Sequence, residues 1–243
     1  MMTSLHSFLF IALPYLTMGV FLVGTFYRYK VQSFKVSSLS SQFLENEKLF
    51  WGSTAFHVGM MAVLCLHLIA FLFPRTLLAW NSYPIRLILL EVTGFVFALS
   101  FLAGLILLFV RRIYVPRIRV VTQWTDLLIE VLLLFQITLG CVIAVLYRWG
   151  SSWFASDLSP YLWSLVRLNP DLQTIIAMPE IVQAHVVGAF LILLVFPFTR
   201  LIHSLVAPLH YLWRPYQQVI WLWDRKRVRD TRKKWSEHLP KNT

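Results

Sequence analysis

Charge is scarce in this sequence. Only 14% of its 243 residues are Asp, Glu, Lys or Arg, against about 25% in an ordinary soluble domain. With 58% hydrophobic residues and a mean hydropathy of +0.67, so little polar surface cannot cover a soluble core. Lipid is the implied solvent. Cysteine is nearly missing: Cys65 and Cys141 both lie in apolar runs, which excludes a disulfide framework and a zinc spacing. There is no internal repeat and no low-complexity tract. Acidic residues number 11 against 22 basic ones, for a net charge of +11. Ten of those cations lie from Arg200 onward. Such a tail usually signals nucleic acid. Here it follows an apolar stretch directly, so a cytoplasmic flank beside anionic lipid or a protein partner is the simpler reading, and nucleic acid is not expected. The segment Met1 to Arg28 lacks a charged n-region and a small-residue cleavage site, so it reads as a first span rather than a removed signal.

What the chain has in abundance is long apolar runs. A spanning helix needs about 20 mostly apolar residues, and five stretches qualify: roughly 5–26, 49–73, 85–110, 127–146 and 181–201. A single all-α membrane domain over 1–243 is expected, with a basic tail over roughly 204–243. Pro74 and Pro84 bracket the second turn, and Asp126 is placed as the N-cap of the fourth helix. Arg28, Lys30, Lys35 and Lys48 fill the first loop, and Arg111, Arg112, Arg117 and Arg119 the third. The second and fourth loops are poor in cations. The positive-inside rule then sets the N-terminus outside and the C-terminus in the cytoplasm, in a multi-pass protein of a prokaryotic inner membrane. The stretch 149–179, with Trp153, Phe154, Tyr161 and Trp163, is expected to lie on the outer surface. The tail from Trp213 is partly amphipathic and suits a membrane surface or a partner.

Four of the seven histidines fall inside these runs: His57 and His67 in the second, His185 and His203 in the fifth. A lone buried histidine is more often a hydrogen-bonded packing residue than a ligand. Four, shared two and two, change that balance, because polar side chains in lipid need a partner or a task. The second helix runs outward and the fifth inward, so His67 and His185 share one depth and His57 and His203 the other. Each pair can clamp one haem iron between two imidazoles. No C-x-x-C-H occurs, so attachment would be non-covalent, as in b-type haems. His185 and His203 are five turns apart on one face, whereas His57 and His67 are about 80° apart. The rises are unequal, about 15 Å for the first pair and about 27 Å for the second, and Pro197 is a natural kink site between them. Gly59 and Gly188 would either let backbone approach a haem or serve helix packing. Two bis-histidine haems leave no open position and suit electron transfer rather than oxygen chemistry.

At these residues the sequence resembles the gamma subunit of membrane-bound respiratory nitrate reductase, a dihaem cytochrome b. The resemblance is carried by Phe56-His57-Val58-Gly59 with His67, by Arg111-Arg112 with Pro116-Arg117-Ile118-Arg119, and by Gln136 with Leu139-Gly140. It continues in the run Phe196 to Pro208, then Tyr211-Leu212-Trp213-Arg214 and Tyr216-Gln217. It implies that His67 and His185 hold a distal haem b near the outer face, and His57 and His203 a proximal one near the cytoplasm. It implies oxidation of menaquinol or ubiquinol beside the distal haem. Electrons would pass to an iron–sulfur beta subunit and a molybdenum-containing alpha subunit that reduces nitrate.

The family usually has a lysine at the quinol site, where this sequence has Arg86. Arg keeps the charge but changes the geometry, and an interfacial snorkelling cation is the competing role. Glu91, deeper in the same helix, is a candidate acceptor of a quinol proton, weighed against a salt bridge or interhelical hydrogen bond. Arg28, Arg111, Arg112 and Arg200 share the cytoplasmic level. Of these, Arg111 and Arg112 are the first candidates to meet haem propionates. Glu130 reads as structural. His6, His210 and His238 receive no role. Other readings are the cytochrome b of a formate dehydrogenase, hydrogenase or sulfur-cycle complex, or a transporter with histidines in its path. Transporters often show inverted repeats, and none is found here.

Overall fold

The computed structural model describes residues 2–31 and 47–206. Among these the protein is entirely helical. Five helices are long and apolar enough to cross a membrane. We label them α1 (Ser4–Val31), α2 (Glu47–Leu72), α3 (Pro84–Tyr114), α4 (Trp124–Leu146) and α5 (Glu180–Val195). Their outward faces carry exposed apolar side chains such as Val23, Leu68, Ile85, Leu89 and Val145, the distribution a hydrocarbon solvent favours.

Local chemistry explains the helix boundaries. Pro84 opens α3 at a position whose N–H would be unpaired anyway. Pro74 does the same for a short helix, Pro74–Asn81, that fills the turn after α2. The last turn of α3 carries Arg111 and Arg112, where cations favour the helix dipole, and Val115 ahead of Pro116 ends it in an extended conformation. At α4 the cap is Gln123 rather than the expected Asp126. The helix starts at Trp124, and Asp126 stands at its third position in a reciprocal capping box, accepting from Gln123 N at 3.1 Å.

Helix packing runs α2–α3–α4–α5–α1. The closest approach is between α2 and α3. A Cβ on Gly59 would strike the backbone of Phe101, and one on Gly104 would strike the backbone of Phe56. Gly59 therefore serves backbone contact between helices, the packing role of small residues in membranes. Gly188 likewise faces the Gln136 side chain. One core cluster joins α2, α3 and α4 through Phe56, Phe101, Leu105, Ile129, Leu133 and Ile137.

Two features depart from the sequence reading. The 149–179 stretch folds into short helical pieces that enter the bundle instead of only lying on it. Tyr161 and Ile175 are wholly buried with Phe10 and Val186. Tyr161 donates to Phe10 O (2.8 Å), a carbonyl in a π-helical turn of α1, and Trp163 Nε1 donates to Phe71 O (2.9 Å). Aromatic groups with one polar handle can bury their rings because that handle finds an acceptor.

The other departure is that the fifth helix does not continue to His203. It ends at Val195, a 3-10 turn covers Phe196–Phe198, Thr199 is extended, and a second 3-10 segment spans Arg200–Val206. Pro197 has no N–H to give, so this is a break rather than a kink. Thr199 stabilises the break by donating its hydroxyl to Phe196 O (2.9 Å) and accepting from Leu201 N (3.3 Å). The 27 Å rise required a continuous helix, so it no longer applies. The tail from Trp213 lies outside the described residues.

Candidate functional site

The first pair of histidines meets at one end of the bundle. His57 lies on α2, and His203 on the 3-10 segment after α5. Their ring centroids are 6.3 Å apart with the planes inclined at 63°. His57 Nδ1 lies 2.7 Å from Ser53 O, one turn back, and His203 Nδ1 bonds Arg200 O. A carbonyl can only accept, so Nδ1 is the donor in both rings, and in the neutral ring the lone pair is then on Nε2. That is the tautomer a metal-ligating histidine needs, with its outer nitrogen tied down. Imidazole–metal bonds are about 2.0–2.1 Å long. Two rings on opposite sides of one metal then have centroids about 6 Å apart, so the observed span fits. Two imidazoles alone would not complete an iron's ligand set, and a haem would supply the remaining ligands.

The second pair stands toward the other end. His67 Nδ1 is 2.8 Å from Val63 O, and the ring meets Phe154 edge-on at 5.4 Å. His185 lies on α5. Its Nδ1 is a buried atom with no hydrogen-bond partner among the described residues. Gln136 and Gly140, on one face of α4, shape its surroundings. Gln136 Nε2 donates to His185 O at 3.0 Å. A Cβ at Gly140 would sit 3.2 Å from His185 Cε1, so glycine makes room for the ring. The sequence flagged both only as part of a resemblance; an amide inside an apolar run was the available signal.

The remaining candidates divide. Arg86 lies over the rings of Tyr83 (4.4 Å) and Trp80 (5.1 Å) at the start of α3, a cation–π setting suited to an interface. Glu91 Oε1 accepts from Ser151 N (2.8 Å) and Ser151 Oγ (2.6 Å), and so ties α3 to the 149–179 segment. Arg111 is buried in the last turn of α3. Arg112 bonds Glu130 Oε1 (2.8 Å) and Asp126 Oδ2 (3.3 Å). Arg28 Nε donates to Pro197 O (2.9 Å), and Arg200 Nε pairs with Asp126 Oδ1 (2.7 Å). The acid–base network around Asp126 was not foreseen, because nothing local in the sequence links Asp126 to Arg200.

The chain is similar to known proteins over most of its length. The chain is 31% identical over 208 residues to a nitrate reductase gamma chain of Bacillus subtilis, covering 84% of this chain and 93% of that protein. It is 30% identical over 223 residues to the respiratory nitrate reductase 1 gamma chain of Escherichia coli, covering 90% and 98%. Against the respiratory nitrate reductase 2 gamma chain of Escherichia coli it is 29% identical over 226 residues, covering 90% and 98%. Residues 6–222, a stretch that includes all four paired histidines, match the family model described as the nitrate reductase gamma subunit, and the chain belongs to that family.

Proposed function

We propose that this chain is the membrane cytochrome b of a nitrate reductase complex, holding two b haems and oxidising quinol. The observation that carries the reading is the facing of His57 and His203 at 6.3 Å, with both Nδ1 atoms bound to backbone carbonyls. In this reading His57 and His203 hold the proximal haem, and His67 and His185 the distal one. The haems supply one-electron carriers whose potentials the axial ligands and surroundings set. Ser53 O, Val63 O and Arg200 O fix the rings of His57, His67 and His203, so ligation costs little reorganisation.

Cation-rich flanks put the N-terminus outside and the C-terminus inside. Quinol then binds near Arg86 at the outer end, where the guanidinium donates to a quinol oxygen. Glu91 has its Oε1 on Ser151, leaving Oε2 to accept a proton. Arg111, buried at the inner level, meets a propionate, while Arg112 shares its charge with Glu130 and Asp126. An iron–sulfur beta subunit on the cytoplasmic side receives the electrons and a molybdenum-containing alpha subunit reduces nitrate. The whole chain, 1–243, acts as one membrane unit in a prokaryotic inner membrane.

The test is haem b per chain in the purified complex, from its alkaline pyridine spectrum, in wild type and single His→Ala variants. Two haems are expected in wild type. His57→Ala and His203→Ala should lose the same one, and His67→Ala and His185→Ala the other. Full haem content in all four variants would overturn the assignment. Electron flow from reduced quinone to nitrate, and not to other acceptors, checks the partner.

A further inference from the structure

His203 stands on a 3-10 segment beyond a break in α5, so the helix itself cannot fix it. We infer that Asp126 is the residue that positions His203, acting through Arg200. This rests on the reading of His203 as a haem ligand. Asp126 is 2% exposed, at the first turn of α4. Its Oδ1 lies 2.7 Å from Arg200 Nε as an ion pair, and its Oδ2 accepts from Gln123 N at 3.1 Å and Arg112 NH1 at 3.3 Å. One carboxylate therefore ties the end of α3, the start of α4 and the segment after α5. A second Arg200 nitrogen reaches Val121 O at 3.3 Å, and the Arg200 carbonyl accepts from His203 Nδ1. The path is Asp126 carboxylate, Arg200 guanidinium, Arg200 backbone, His203 ring.

The physics favours a positional role over simple stabilisation. A buried ion pair is weak evidence for stability, because desolvation offsets the attraction, but removing one partner is costly. Removing Asp126 would leave Arg112 with Glu130 but take the nearest carboxylate from Arg200, and the 3-10 segment would lose its tie to the first turn of α4. His57 needs no such device, because its acceptor, Ser53 O, lies in an unbroken helix.

The experiment compares the purified complex of wild type, Asp126→Ala, Asp126→Asn and His203→Ala, by haem content and carbon monoxide binding to the dithionite-reduced protein. A haem with two histidines has no open position, so wild type should bind none. Asp126→Ala should keep the distal haem as an internal control of folding. Its proximal haem should become five-coordinate in a large fraction, binding up to one carbon monoxide per two haems. Asp126→Asn retains an acceptor for Arg200 and should restore most of the sealed state. Two sealed haems in Asp126→Ala would overturn the inference. So would loss of both haems in Asp126→Asn, since the carboxylate would then support the bundle as a whole. His203→Ala with two sealed haems would instead refute the ligand assignment, a result separate from either.

Discussion

Gly104→Ala tests how tightly the helix pairing sets the haem site. A Cβ at this position would lie 2.8 Å from Phe56 Cα and 2.8 Å from Gly52 O, and closer still to Phe56 N. Carbon atoms in good contact are about 3.5–4.0 Å apart, so α2 must withdraw by about 0.7 Å or more. Both sides of the contact are helix backbone, which cannot turn away as a flexible side chain can. Phe56 precedes His57, whose ring faces His203 at 6.3 Å. Metal–ligand distances tolerate only about 0.2 Å of change, so the displacement is several times what the pair can absorb. Overpacking of this kind costs about 1–3 kcal/mol. We expect lower occupancy of the His57–His203 site and a lower thermal midpoint, with the His67–His185 haem retained. Gly59→Ala, driven into the Phe101 backbone, should act similarly. Gly19→Ala, with nothing within 4 Å of its Cβ among the described residues, should be silent. A Gly104→Ala protein with the haem content and thermal midpoint of Gly19→Ala would refute the reasoning.

Tyr161→Phe should destabilise the protein by about 1–3 kcal/mol in detergent melts, because it strands the Phe10 carbonyl. Burial first, and Tyr15 second, push the Tyr161 phenol above its ordinary range. The folded state thus favours the protonated ring. The wild-type advantage over Tyr161→Phe should hold below about pH 10 and shrink as pH rises beyond it; a constant difference would count against the buried hydroxyl. Arg86→Ala should raise the quinol KM roughly tenfold or more, the loss of a charged hydrogen bond of about 1.5–3 kcal/mol, with Arg86→Lys near wild type. An unchanged KM would return Arg86 to the stacking role seen over Tyr83 and Trp80. Glu91→Gln keeps an oxygen for Ser151 N, so folding should survive while quinol oxidation falls by about a hundredfold if the carboxylate takes the proton. Unchanged oxidation would leave Glu91 as the tie to Ser151 alone.

Local and periodic features were legible from the residues alone. Apolar runs of spanning length located the five helices, Pro84 marked the start of α3, and the family was legible in segments such as Phe56 to Gly59. The separation of His57 from His67 along α2 also follows from helix rise. Only the tertiary structure decided what depends on neighbours distant in sequence. It showed Gly59 spent on the backbone of α3, Glu91 on Ser151, and Arg112 on Glu130 and Asp126. It buried Tyr161 in a segment whose aromatics read as interfacial. It also broke α5 at Pro197, leaving His203 on a turn anchored by Asp126 through Arg200. Hydropathy and helical period report on a residue's own helix. The direction of a guanidinium, the closeness of two backbones and the choice between a kink and a break are settled by what the packed partner offers, and that information is carried by no single stretch of the chain.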